Sequence, residues 1–551
     1  MDTNSSDQID LRLVAIVGVV VVVFTAVVFL ALKPLKMVEE PEVVTPAKPM
    51  EATPRPGWAN PVRAAAEVAS QEEEEDGPDI DWAALGEGRP GEFLVRFKDQ
   101  DALNKFLEAL RKAGVAAPHV SEVLRTALLN ADQMKLALAN GLLGSDDEVL
   151  PNYYVFTPQP PQQGEVQEGA VGFGAALVDW LGATGDRSSW GKGVLVAVID
   201  SGLTAHQNLP AGAKEIDLVG AGARNSHGTA VASLIGGTSD LAPGIAPAVS
   251  LLSIRVTDET GLSSSLTLAE GIITAVDAGA RLLNISLGST GDSSVVRDAI
   301  AYAQSKGALI VAAAGNEGTN GLDYPAAYQG VVSVGSVDAN SNHLDFSNSG
   351  EGITTVAPGL DLNAAWLTDK YIRFSGTSAS TGVVTGILAA IMSMDGTGKT
   401  SASEALSIYN AYLDDAGAPG QDSYYGSGVP DLARILDRGT KGVYDAALAG
   451  QVLVPATQPG YNPTWLVTVQ NRGTEALVNT AVVIQSPGGT VTKNITLLQP
   501  GAIGTVEIPV QNSWLTAKTV PSITSTTRVD VGTRDARPTN NGRADAVNTT
   551  K

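Results

Sequence analysis

The chain has no cysteine, which excludes disulfides, thiol nucleophiles, zinc–thiolate sites and iron–sulfur clusters. Histidine is nearly as scarce, and His119, His206, His227 and His343 are the whole supply of imidazole. Basic side chains are outnumbered, 36 Lys and Arg against 59 Asp and Glu, leaving a formal charge of −23 over 551 residues. A surface of that sign repels phosphate backbones and no local basic patch offsets it, so no nucleic-acid partner is expected. Aromatic residues make up only 5 % of a chain that is 44 % hydrophobic and carries 59 glycines, so its cores must be built from small side chains. At ~150 residues per domain the length implies three or four units.

A long uncharged run occurs near the start. After an acidic tail over residues 1–12, residues 13–32 are 20 uncharged positions, mostly Val, Leu, Ala and Phe. As a helix they are about 30 Å long, matching a bilayer core. A cleavable signal has a basic start and an apolar run of ~7–15 residues, so a single-pass transmembrane anchor is expected instead. Lys33 and Lys36 outnumber Arg12 across the span, a small bias that by itself favours a cytoplasmic bulk. Residues 33–90, rich in Pro, Glu and Ala and including Glu72-Glu-Glu-Glu-Asp76, read as a disordered tether.

Folded patterns then follow one another. Residues 91–157 read as a small α/β unit, with a strand at 92–97 and a helix over 101–113 near Asp99 or Asp101. A second helix, or helix and turn, is expected over 127–143, and a closing strand over 153–156. A Pro/Gln/Gly-rich linker covers 158–174. Residues 175–440 alternate apolar strands (194–199, 250–256, 280–285, 308–313, 330–337) with helix-like segments, which implies an α/β fold with a parallel sheet covered on both faces. From 452 to 551, short strands separated by Gly, Pro and Asn turns imply a β-sandwich.

Four segments of the α/β region carry chemistry. Val196-Ala-Val-Ile-Asp200-Ser-Gly202 places a carboxylate at the carboxyl end of a buried strand, where open parallel sheets build their sites. Asn225-Ser-His227-Gly-Thr opens an apolar helix with a histidine, and Phe374-Ser-Gly-Thr-Ser378 leads a serine into a helix expected over 383–392. A serine nucleophile needs an imidazole to take its proton, and the imidazole needs a carboxylate to fix its tautomer. Ala-Ala-Gly-Asn316-Glu-Gly318 supplies an amide for a developing oxyanion, with the backbone N–H of Ser378 as second donor.

These segments, with Asn284-Ile-Ser286-Leu287-Gly288 and in Asp, His, Ser order, closely resemble the subtilisin-like serine proteases over residues 175–440. The resemblance implies that Asp200 orients the imidazole, His227 is general base and acid, and Ser378 is the nucleophile. It makes Asn316 and Ser378 the oxyanion donors and Ser286, Leu287 and Gly288 a wall of the substrate pocket. It calls for no catalytic cofactor. Asp323-Tyr-Pro325 falls where relatives line the pocket floor, where a carboxylate attracts Lys or Arg; a solvent-facing turn is the other reading. Structural calcium is left open, because Asn208 stands where relatives use an Asp ligand and Asp240 reads as a turn residue. After the serine the run is Ala379-Ser-Thr-Gly382, without the family's usual Met or Phe and without its helix-starting proline.

By pattern, residues 91–157 resemble the inhibitor-type propeptide of that family, which implies self-inhibition and self-cleavage within 158–174. Residues 452–551 resemble adhesion-type Ig-like domains of bacterial surface proteins. The family's usual setting implies an extracytoplasmic peptidase acting on polypeptides. A second reading makes the chain a surface adhesion or binding protein whose working part is the C-terminal sandwich. His119, His206 and His343 have no motif around them. Gly220-Ala-Gly222 lacks the third glycine of a dinucleotide loop, and the Asn284-Ile-Ser286 sequon falls in an expected buried strand.

Overall fold

The structure, a computed structural model, describes residues 80–81, 85–162, 164–394, 400–456, 461–516, 521–529 and 534–547. All belong to one compact unit, Thr45–Lys551. The anchor expected at 13–32, and nearly all of the tether, lie outside the described residues. Among the described residues, no helix is long and apolar enough to cross a membrane.

The first folded unit begins earlier than the expected boundary at 91, since Leu85 is buried with Ile80 packed beside it. Two apolar side chains inside an acidic stretch were enough to join the core. Four antiparallel strands lie in the order His119–Ser121, Thr126–Asn130, Glu92–Arg96, Glu148–Pro151. The helix expected over 127–143 is a strand followed by a shorter helix, Ala131–Ala139. Ala127 and Leu129 face the unit's own core in register with Val95 and Phe93, and the capping box of Asn130 and Gln133 starts the helix only afterwards. Strand alternation sends Phe93 and Val95 to that core with Leu103, Phe106 and Met134, while Leu94 joins the core of the larger domain. Arg96 reaches Asp298 at 2.6 Å, and Asn152 Oδ1 accepts from the backbone N–H of Leu266 at the start of a helix of that domain.

Seven parallel strands form the central sheet, in the order Thr355–Pro358, Val332–Val337, Leu309–Ala313, Leu282–Ile285, Leu195–Asp200, Ser250–Arg255, Lys214–Asp217. The two outermost strands were missed in the sequence; each is only four residues, and one carries Lys, Glu and Asp on an edge. Ala197 and Ile199 face helices Ser265–Asp277 and Ser294–Ser305 in one core, and helices His227–Gly236 and Thr377–Ser393 pack together elsewhere against the sheet.

Beyond residue 440, two antiparallel sheets of three and four strands share an apolar core that includes Trp465, Val467, Val482 and Ile484. Its first strand, Ala446–Val454, starts before the expected boundary at 452. Asp414 of the peptidase region is shared by Arg434 and, from the C-terminal sheets, Arg472, at 2.7 and 2.9 Å. Arg537 likewise bridges Asp431 and Asp437.

Candidate active site

Asp200 ends a strand that is flanked on both sides by other strands, so its carboxylate is only 1 % exposed. It accepts the Ser201 N–H at 2.7 Å and faces His227 Nδ1 through both oxygens, at 2.9 and 3.0 Å. His227 is the first residue of its helix, and its backbone N–H donates to Asn225 Oδ1 at 3.0 Å. The helix can start this close to the strand only because Gly228 has no side chain. A Cβ there would lie 2.6 Å from the Gly202 carbonyl. Ser201 Oγ braces the same turn, donating to the Asn225 carbonyl and accepting from Gly228 N–H. Asn225 and Ser201 lie inside the two motifs read from the sequence but carried no role there.

Ser378 is the second residue of helix Thr377–Ser393 and 2 % exposed. The helix starts well before the expected 383. Thr377 takes the N-terminal position, and its N–H and hydroxyl both donate to Asn316 Oδ1 at 2.9 Å. Thr381 Oγ1 then ties back to the Thr377 carbonyl at 2.7 Å, in a first turn that lacks the family's proline. Gly376, at φ +131°, makes room for Asn316, whose Nδ2 would stand 3.0 Å from a Cβ at that position. Ser378 Oγ faces the Ser286 carbonyl at 3.5 Å, and His227 Nε2 is buried with no hydrogen-bond partner. Phe374, four residues before the serine, sets its ring edge-on to the imidazole at 5.4 Å. An imidazole fixed at Nδ1 by a buried carboxylate has Nε2 free to take up and return a proton. Catalytic hydrogen bonds commonly tighten only around substrate.

A cleft runs between Leu262–Ser264 and Ser286-Leu287-Gly288, and the chain itself fills it. The strand expected to close the first unit, now Tyr154–Phe156, pairs instead with Leu262–Ser264. On its other side Phe156 and Gly288 exchange two backbone hydrogen bonds of 2.9 Å. The place of fourth strand in the unit's own sheet goes to Glu148–Pro151, missed because it spans only four residues and ends in proline. Past the cleft, Asn316 Nδ2 donates to the Gln159 carbonyl at 2.8 Å.

Asp323 lies against this wall, 8 % exposed, and a Cβ on Gly288 would come within 2.5 Å of its Oδ2. The turn reading therefore fails. Oδ2 is buried without a partner, and burial first, then the nearby Glu317 charge, pushes the carboxyl up to about 7.

A profile described as the subtilase family matches residues 191–428. Subtilisin Savinase of Lederbergia lenta is 32 % identical over 252 residues, covering 45 % of this chain and 92 % of that protein. The chain belongs to the subtilase family. A thermostable alkaline protease of Halalkalibacterium halodurans is 37 % identical over 213 residues, 38 % of this chain, and the match spans 59 % of that relative. The solved epidermin leader peptide processing serine protease of Staphylococcus aureus shares the fold, with a TM-score of 0.52 at 23 % identity over 64 % of this chain and 98 % of its own. As a subtilase the chain is a serine endopeptidase.

Asn208 stands where the resemblance calls for a calcium-ligating Asp. Asn208 is fully buried; its Nδ2 donates to the Ala242 carbonyl at 2.9 Å and its Oδ1 accepts from Ser239 N–H at 2.6 Å. An amide hydrogen aimed at that carbonyl does not fit a cation site, which needs the oxygens for itself. Among the described residues, no group of three or more His, Asp or Glu could hold a metal ion. Asn208→Ala is expected to lower the unfolding free energy by about 1–3 kcal/mol through the two orphaned backbone groups, read from the urea midpoint. His206 is structural, its Nδ1 accepting from Asn208 N–H and its Nε2 facing the Lys370 carbonyl at 3.0 Å. His119 reaches Glu270, and His343 is half-buried against Tyr424 and Tyr425. Asn284 is buried, with Nδ2 donating to Ser286 Oγ.

Proposed function

We propose that this subtilase is a membrane-tethered endopeptidase working outside the cytoplasmic membrane, with residues 91–157 as its inhibitory propeptide. The observation that carries the catalytic reading is the Asp200–His227 pair at 2.9 Å. Asn316 supports it, anchored through Oδ1 with its Nδ2 presented to a peptide carbonyl. Ser378 Oγ attacks the substrate carbonyl as His227 Nε2 takes its proton, and Asp200 holds the resulting imidazolium in place. Asn316 Nδ2 and the Ser378 N–H stabilise the oxyanion, and His227 returns the proton to the leaving amine. Water then hydrolyses the acyl-enzyme by the same proton route. Ser286, Leu287 and Gly288 pair with the substrate backbone, and Asp323 selects a basic side chain next to the scissile carbonyl.

Two contacts support the propeptide reading. A sheet face of the first unit packs on the peptidase, and the strand that follows it lies in the cleft. Cutting the chain within 158–174, by this site or by another protease, is what opens the cleft. The tether and anchor rest on the uncharged run at 13–32, and the extracytoplasmic setting on the family's usual habit. The C-terminal sheets are proposed as an Ig-like binding or spacing unit, on their strand pattern.

A fluorophosphonate probe on the opened chain, followed by a peptide-library digest, tests this reading. Labelling at Ser378 with endoproteolysis after Lys or Arg is the expected result. A chain that neither labels nor cleaves would leave the adhesion reading in its place. Ala379 stands beside the nucleophile where many relatives carry an oxidisable thioether. Activity is therefore expected to persist in dilute peroxide, and Ala379→Met to make it peroxide-sensitive.

A further inference from the structure

Each of the five peptide bonds from Thr157 to Gln162 has proline on at least one side, because the run is Thr157-Pro158-Gln159-Pro160-Pro161-Gln162. This is the stretch threaded past the nucleophile. Phe156 is strand-paired with Gly288, and Thr157 N–H donates to the Gly261 carbonyl at 2.9 Å. Two residues on, the Gln159 carbonyl accepts from Asn316 Nδ2. The bond set at the oxyanion donor is thus Gln159–Pro160. To expel the leaving group, the imidazole must deliver a proton to the lone pair of its nitrogen, and in proline the ring carbon bonded to that nitrogen crowds the approach. Sliding the chain by one residue gives no relief. One way, Pro158 sits under Asn316 without an N–H to pair with the Ser286 wall; the other way, the bond joins Pro160 to Pro161.

Nor can the chain slide far, because it is held beyond the site. Val166 and Ala170 pack on Leu344, Phe346 and Leu360. The Gln167 side chain donates to the His343 carbonyl and accepts from Asp345 N–H. Phe173 and Gly174 donate their N–H groups to the carbonyls of Leu360 and Asp361. Charge adds a second barrier. Between Lys135 and Arg187 the chain has no Lys or Arg, so a recess bearing the unpartnered Asp323 carboxylate meets no cation anywhere in this stretch.

We propose that residues 157–161 are a built-in non-substrate: the subtilase lies across its own cleft as an intact, proline-protected strap, and a protease of different specificity must make the freeing cut. The proposal rests on the reading of Ser378 as nucleophile.

The test uses the full chain and its Ser378→Ala variant, compared by intact mass. Full-length masses that differ only by the one oxygen atom of the substitution, with no cut between 157 and 174, are expected. Glu165 and Glu168 are exposed, so a glutamate-specific protease can cut the chain just beyond the strap and free its end. Fluorophosphonate labelling of Ser378 is expected to rise at least about tenfold after nicking, as the competent population grows. Gln159→Arg with Pro160→Ser, or Pro160→Ser alone should the pair fold poorly, is expected to cut itself after position 159 in a Ser378-dependent way. A wild-type chain cut within 157–174, where Ser378→Ala stays intact, overturns the strap and leaves the protease reading standing. Nicked wild type and both variants all failing to label would overturn the nucleophile reading, and the strap with it.

Discussion

Ser378→Ala, measured in the chain whose strap has been cut, is expected to lower kcat by about 10⁶-fold, a magnitude carried over from subtilisin itself. Folding is not expected to change, since Ser378 Oγ makes one long contact, 3.5 Å to the Ser286 carbonyl, and its removal strands no strong partner. Equal melting temperatures with lost turnover would separate chemistry from stability. Asn316→Ala is expected to cost about 10²–10³-fold, again by analogy with the subtilisin oxyanion donor. The loss belongs in kcat rather than KM, because the amide gains most when charge develops on the carbonyl oxygen. A kcat unchanged in either variant would remove that residue from the mechanism.

The second large effect is on selectivity. Asp323→Asn is expected to lower the kcat/KM ratio of Lys or Arg over aromatic substrates on the order of 10²-fold, since losing one partner of a buried charge pair costs ~2–5 kcal/mol. The wild-type ratio should also rise with pH. The carboxyl titrates at about 7, so it is mostly neutral at pH 6 and mostly charged at pH 8. Stability runs the other way. The folded chain holds this proton where the unfolded chain has lost it, so the group's contribution is present at low pH and fades as pH rises from about 4 to 7. Asp323→Asn should flatten that slope in a Tm-against-pH series. A P1 ratio that ignores both the substitution and the pH would sink the assignment.

Much of the site was legible in the sequence because its chemistry sits on short local motifs. Asp200 ends an apolar strand, His227 opens an apolar helix, and Asn316 follows a run of small residues; each context is visible within a few positions. What could not be read is what depends on distant partners. Ala127-Leu-Leu129 has helical composition and becomes a strand because Glu92–Arg96 lies beside it. Tyr154–Phe156 looked like the last strand of its own unit and is claimed by a strand more than 100 residues away. Asp323 was ambiguous for the same reason. Only its packing against Gly288, remote in sequence, shows that the carboxyl is buried and not on a surface turn.

The shared carboxylate of Asp414 has a mechanical consequence. Arg434 is 2 % and Arg472 12 % exposed, so salt screens these pairs far less than it would at the surface. Together with the Arg537 bridges they tie the C-terminal sheets to the peptidase region at this joint. On the proposed reading of these sheets as a binding or spacing unit, a bound molecule would keep one bearing to the peptidase that carries Ser378.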